Sequence, residues 1–114
     1  MNITATPYDG ALLVTMNEDR IDAASAIQFK DAMQATIAGA PPRVVIDLSA
    51  VKFLDSSGLG AIVAVMKMLA PDRQLELCGL TEHVGKVLRL TRLDQVFTIH
   101  QSADDALSGL AHAS

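Results

Sequence analysis

The chain has 114 residues, half of them apolar and 19% charged, which suits one compact domain and excludes a disordered chain. A net charge of −4 with no basic cluster speaks against a direct nucleic-acid partner. The single cysteine, Cys78, gives neither a disulfide framework nor a metal-ligand spacing, and no cofactor is expected.

The opening residues, MNITATPYDG, lack the basic and apolar regions of a signal peptide. Residues 3–7 and 11–15 read as two short strands around Tyr8-Asp9-Gly10, a hairpin signal. Asp22 or Ser25 is positioned to cap a helix running to about Ala38, with Ala26, Phe29, Met33 and Ile37 on one stripe. Gly39 and Pro41-Pro42 end it. Residues 44–48 form a strand of the buried type, and residues 57–69 a second helix closed by Ala70-Pro71. A strand over 74–78, a helix over 82–91, a strand over 96–100 and a terminal helix over 104–113 complete the chain, with Ser102 as cap of the last. This alternation predicts an α/β fold: one domain over residues 1–114 with a small, mixed, mostly parallel sheet of about five strands and about four helices. Parallel strands bring the segments after their carboxyl ends to one edge, so residues 17–22, 49–57 and 79–82 should be neighbours.

The middle segment leads into "FLDSSGLGAIVAVM", which sets hydroxyls and glycines before a long apolar run. That run ends at Lys67, short of the roughly 18–20 residues that span a bilayer, so a cytoplasmic location is expected. Asp55, Ser56 or Ser57 can supply the cap of the second helix, worth about 1 kcal/mol. Capping leaves the face count unexplained. Leu59, Ile62, Val63, Met66 and Leu69 form one apolar stripe, and Ala61, Ala64, Val65 and Met68 form a second. Either the helix is wrapped on all sides or its second stripe meets a partner, a copy of the chain being one choice. A phosphate on a serine here would add about −1.5 to −2 charges at the rim of such a contact, beside Asp55. The helix N-terminus tolerates that anion within the chain, whereas a docked partner would have to desolvate it.

Enzymatic patterns are weaker. No G-x-S-x-G surrounds either serine, and Gly58-x-Gly60 has Val63 where a dinucleotide loop would place its third glycine. His83, His100 and His112 are scattered, as expected for surface or hydrogen-bonded histidines.

"VVIDLSAVKFLDSSGLGAI" closely resembles the central motif of STAS domains, in particular the single-domain anti-sigma factor antagonists. "RIDAASAIQFKDAM" and "LELCGLTEHVGKVLRLTRLDQVFTIHQSADDAL" are similar to the flanking segments, so the resemblance covers nearly the whole chain. It implies that Ser56 is the phospho-acceptor. It also implies that the unmodified protein binds an anti-sigma factor of the histidine-kinase-like ATPase fold, its serine kinase. Binding would free a sigma factor, phosphorylation would end the binding, and a PP2C-type phosphatase would restore it. Asp22, Asp55, Ser56, Ser57, Gly58, Leu59 and Ala61 fall on the implied partner-binding surface. Two positions depart from the family pattern: Asp19 and Arg92 stand where glycine is frequent. Two other functions compete. One is a STAS subunit of another assembly, such as an ABC-type lipid transporter or another partner-switching signalling complex, with Ser56 only a helix cap. The other is a nucleotide sensor using the sheet edge.

Overall fold

The computed structural model describes residues 1–113. The chain opens with the hairpin β1 (Ile3–Tyr8) and β2 (Ala11–Met16), turned at Gly10, whose φ of 81° favours a residue without a Cβ. After β3 (Arg20–Ile21) comes α1 (Ala26–Ile37), which buries Ala26, Phe29, Met33 and Ile37. Then follow β4 (Arg43–Asp47), β5 (Phe53–Leu54), α2 (Ser56–Leu69), β6 (Gln74–Cys78) and α3 (Glu82–Leu90). A 3₁₀ turn at Leu93–Gln95, β7 (Thr98–His100) and α4 (Ala103–Ala106) close the fold. Among the described residues no helix is long and apolar enough to cross a membrane.

The main sheet has the order β1-β2-β4-β6-β7. Only the β1–β2 pair is antiparallel, so the mixed, mostly parallel five-stranded sheet with four helices is as the alternation of elements predicts. Because side chains alternate along a strand, register decides which residues share a face. Val14, Ile46 and Leu77 line up beneath Phe29 and Met33 of α1, Ile62 and Val65 of α2, and Leu88 of α3, in the larger core. Ala11, Leu13, Val45 and Cys78 lie on the opposite face in a smaller cluster with Ala106 and Leu107, against which Tyr8, Ala103 and Leu110 pack.

One charged side chain is buried in the sheet. Glu76 accepts two hydrogen bonds from Arg43, at 2.6 and 2.7 Å, and its Oε1 lies 2.6 Å from His100 Nε2. Arg43 Nη2 also donates to the Ala106 carbonyl at 2.8 Å, tying α4 to the sheet. The carboxylate is thus paired and saturated, as burial of a charge requires.

Several boundaries differ from expectation, and one strand pair was not expected. The terminal helix stops after Ala106 because Gly109 (φ 80°) turns the chain back, and its end pairs with β1 through Asp9 N to Ala111 O and Ala113 N to Pro7 O. The last strand begins at Thr98 because the 3₁₀ turn and the Phe97 N to Leu93 O bond take up the preceding residues. Helix α2 starts at Ser56, one residue earlier than its pattern suggests. The short parallel pair of β3 with β5 has no periodicity that a two-residue strand could show.

Candidate functional site

The three segments expected at one edge do meet there. The Asp19 carbonyl accepts from Lys52 N (2.7 Å) and Phe53 N (3.2 Å), which seats β5 beside β3. Thr81 Oγ1 donates to the Val51 carbonyl at 2.6 Å and His83 Nε2 lies 3.3 Å from the Leu54 carbonyl, drawing in the start of α3. The histidine ring stacks on Phe53 with centroids 5.3 Å apart, and the Arg20 guanidinium lies 4.7 Å from the Phe53 centroid. This Arg20–Phe53–His83 group was not found from sequence, since its members are tens of residues apart and carry no motif.

Asp55 is the hub of the edge. Its Oδ1 accepts from Gly58 N at 2.9 Å and caps α2, while its Oδ2 accepts from Ala23 N at 3.1 Å and holds the turn before α1. Asp22 shapes that same turn by accepting from Ala24 N, Ser25 N and Ser25 Oγ, and it pairs with Arg20 Nε at 2.9 Å. Burial pushes the Asp22 carboxyl up, but the bonds from Arg20 and Ser25 outweigh it, so the group sits below its usual value. Ser25 is the residue before α1 but its hydroxyl makes no capping bond; Asp22 does the work at that end.

Ser56 and Ser57 are exposed at the first two positions of α2. Among the described residues neither hydroxyl makes a hydrogen bond, because the cap site is already taken by Asp55. Gly58 is buried, and a Cβ there would lie 2.1 Å from the Ile21 carbonyl oxygen, so the glycine lets the helix rest directly on β3. Leu59 and Ala61, expected at a partner surface, are instead buried in the core at 8% and 3% exposure. Of the two readings left open for the second apolar stripe, the structure supports the wrapped helix. Val65 is fully buried, and Ala64 and Met68 are half-buried where α2 packs between α1 and β6. The surplus of apolar residues is therefore used mainly inside the fold, and only Gly60 and Lys67 are exposed between Leu59 and Leu69.

A sheet of this order, with a two-strand annex and two free serines at the start of a buried helix, defines a small α/β domain whose distinctive surface is one edge. The family model of the STAS domain matches residues 2–106, and the chain belongs to that family. It is 33% identical over 101 residues to a STAS-domain containing protein of Pseudomonas aeruginosa, covering 87% of this chain and 99% of that one. It is 26% identical over 110 residues to the anti-sigma-F factor antagonist RsfB of Mycobacterium tuberculosis, covering 96% and 89% of the two chains. Among solved structures, an anti-sigma factor antagonist from Mycobacterium paratuberculosis superposes with a TM-score of 0.83 at 32% identity, covering 94% of this chain and 91% of that one.

Proposed function

We propose that this chain is a phosphorylation-switched binding protein, not an enzyme, that acts by partner switching. The unmodified form binds an anti-sigma factor serine kinase of the histidine-kinase-like ATPase fold and so releases a sigma factor. Phosphorylation of Ser56 ends that binding, and a PP2C-type phosphatase reverses it. The observation that carries this reading is the division of labour at the start of α2: Asp55 caps the helix, leaving the Ser56 hydroxyl exposed and free to react. The rival in which Ser56 serves only as a cap finds no support in that geometry. The relatives named as anti-sigma factor antagonists support the class of partner.

The contact surface in this reading is the exposed rim of Ser56 and Ser57 with the turn built by Asp22 and Asp55. Gly58, Leu59 and Ala61 set the helix in place beneath it. A phosphate on Ser56 would stand next to the Asp55 carboxylate in a contact that must shed water. A hundredfold loss of affinity corresponds to about 2.8 kcal/mol, which one desolvated charge can supply.

Ser56→Ala and Ser56→Asp proteins used as paired baits in native cytoplasm test this. An ATPase-type kinase should be held by the alanine form and lost by the aspartate form, and it should phosphorylate the wild-type chain at Ser56 by mass spectrometry. Recovery of one partner set by both baits, transporter subunits for instance, would overturn the switch.

A further inference from the structure

The sheet ends in two edge strands of unlike character. On one side β7 is only three residues long, while β1 on the other is six residues without a charged side chain. The register of β1 on β2 runs unbroken from Ile3 to Tyr8, so no bulge turns the edge away. Asn17 N donates to Asn2 O at 3.0 Å, which makes the even-numbered residues of β1 the ones bonded to β2. The backbone groups of Ile3, Ala5 and Pro7 therefore point outward. One end of this outward edge is already in use: Ala113 N donates to Pro7 O at 3.1 Å and Asp9 N to Ala111 O at 2.9 Å, with Tyr8 opposite His112. Among the described residues no hydrogen bond is made to the outward groups of Ile3 and Ala5. Lysine, glutamate and bulges are the usual guards of such an edge, and β1 has none of them; its Pro7 lies at the covered end.

We infer that a second copy of this chain pairs along this edge, β1 against β1 in antiparallel sense, about a two-fold axis at Thr4. In that register Ile3 stands opposite Ala5 of the copy, and the outward amides and carbonyls exchange two hydrogen bonds at each such pair. Thr4 meets its own counterpart at the axis, in the close, non-bonded type of pairing that suits threonine. Ile3 and Ala5 project from the face that carries the larger core, to which Ile3 already contributes, so the apolar surface continues across the axis. The occupant is a copy because the edge is complementary to itself: the same two-residue spacing of free groups, no charge to oppose, and each pairing ending where the chain's own 111–113 segment begins. With only about five residues a side the contact is smaller than the roughly 800 Å² per partner of a standard interface, so the dimer is weak.

Sedimentation velocity of the full chain from about 10 µM to 1 mM, beside amide exchange by NMR, tests this. The wild type should pass from monomer towards dimer, with the Ile3 and Ala5 amides slowing as the dimer forms. Ala5→Pro removes one outward amide that makes no bond within the monomer, at a position of the same parity as the tolerated Pro7; it should stay monomeric with an unchanged circular dichroism spectrum. Thr4→Lys keeps every backbone group but sets two ammonium groups face to face, and should weaken the dimer at least tenfold. A wild type that stays monomeric throughout overturns the proposal. So does a dimer that survives both substitutions, which would place the contact on another surface. Protection of the Ile3 and Ala5 amides in a species that remains monomeric would assign the edge to the chain's own C-terminal segment instead.

Discussion

Two glycines in the first turns of α2 should respond to alanine with opposite signs. At Gly58 the added Cβ would meet the Ile21 carbonyl oxygen at 2.1 Å, the Ile21 carbonyl carbon at 2.8 Å and Leu54 Cδ1 at 2.8 Å. Contacts under 3.0 Å are essentially never made by a real Cβ, so helix and strand must part by about 1 Å. The obstacle is backbone and has no rotamer to escape into. Overpacking costs about 1–3 kcal/mol, and against unyielding backbone about 2–3 kcal/mol, set against about 1 kcal/mol gained from alanine's helix propensity. At Gly60 nothing lies within 4 Å, so only the gain remains. Gly58→Ala should therefore be less stable than wild type by about 1–2 kcal/mol and Gly60→Ala more stable by about 0.5–1 kcal/mol. Urea titrations followed by far-ultraviolet circular dichroism should place their midpoints at least about 1 M apart, with equal slopes. A Gly58→Ala chain as stable as Gly60→Ala would refute the direct seating of α2 on β3.

The buried carboxylate should make stability depend on acid. The hydrogen bonds from Arg43, opposed by burial and aided by His100, hold the Glu76 carboxyl below its ordinary value of 4.5. A depressed folded-state pKa contributes stability that is present above the unfolded value and lost as pH falls through the folded one. Glu76→Gln should cost about 3 kcal/mol at pH 7, and the gap to wild type should shrink below about pH 4.5; a gap as large at pH 3 as at pH 7, measured by urea unfolding, would count against the ion pair. The thiol of Cys78 is pushed up to about 12, first by burial and then by the charges of Asp47 and Glu76. A disulfide reagent at pH 8 should modify the native chain at least roughly 100-fold more slowly than the chain in urea, and equal rates would show that the C-terminal cover does not shield it.

How much of this was legible in the residues depends on the range of the interaction. The strands of the main sheet and the stripe of Ala26, Phe29, Met33 and Ile37 follow from periodicity, because burial of one face is a local constraint. Ser102 was readable as a cap, and its hydroxyl does accept from Asp105 N at 3.1 Å. At α2 three residues could have capped, and only the fold selects Asp55, since its second oxygen is needed by Ala23, 32 positions away in sequence. The burial of Leu59, Ala61 and Val65 depends on what packs beside the helix, which its own sequence does not record. The 3₁₀ turn follows Arg92, which holds a φ of 61°, a conformation that costs a side-chain-bearing residue about 1 kcal/mol. The arginine was visible in sequence, but not the left-handed backbone it has to adopt.

Asp19 and Ile21, Lys52 to Asp55, and Thr81 to His83 come from separate crossovers, yet each is bonded to another of the three. In the unfolded chain Ser56 is a serine before a greasy run, without the cap or the turn that frames it. On the proposed reading, a kinase that recognises this edge would also be an inspector of folding, able to act on finished molecules and blind to unfinished ones. A substitution that lowers the folded fraction, however far from Ser56, would then lower the population open to phosphorylation in the same proportion.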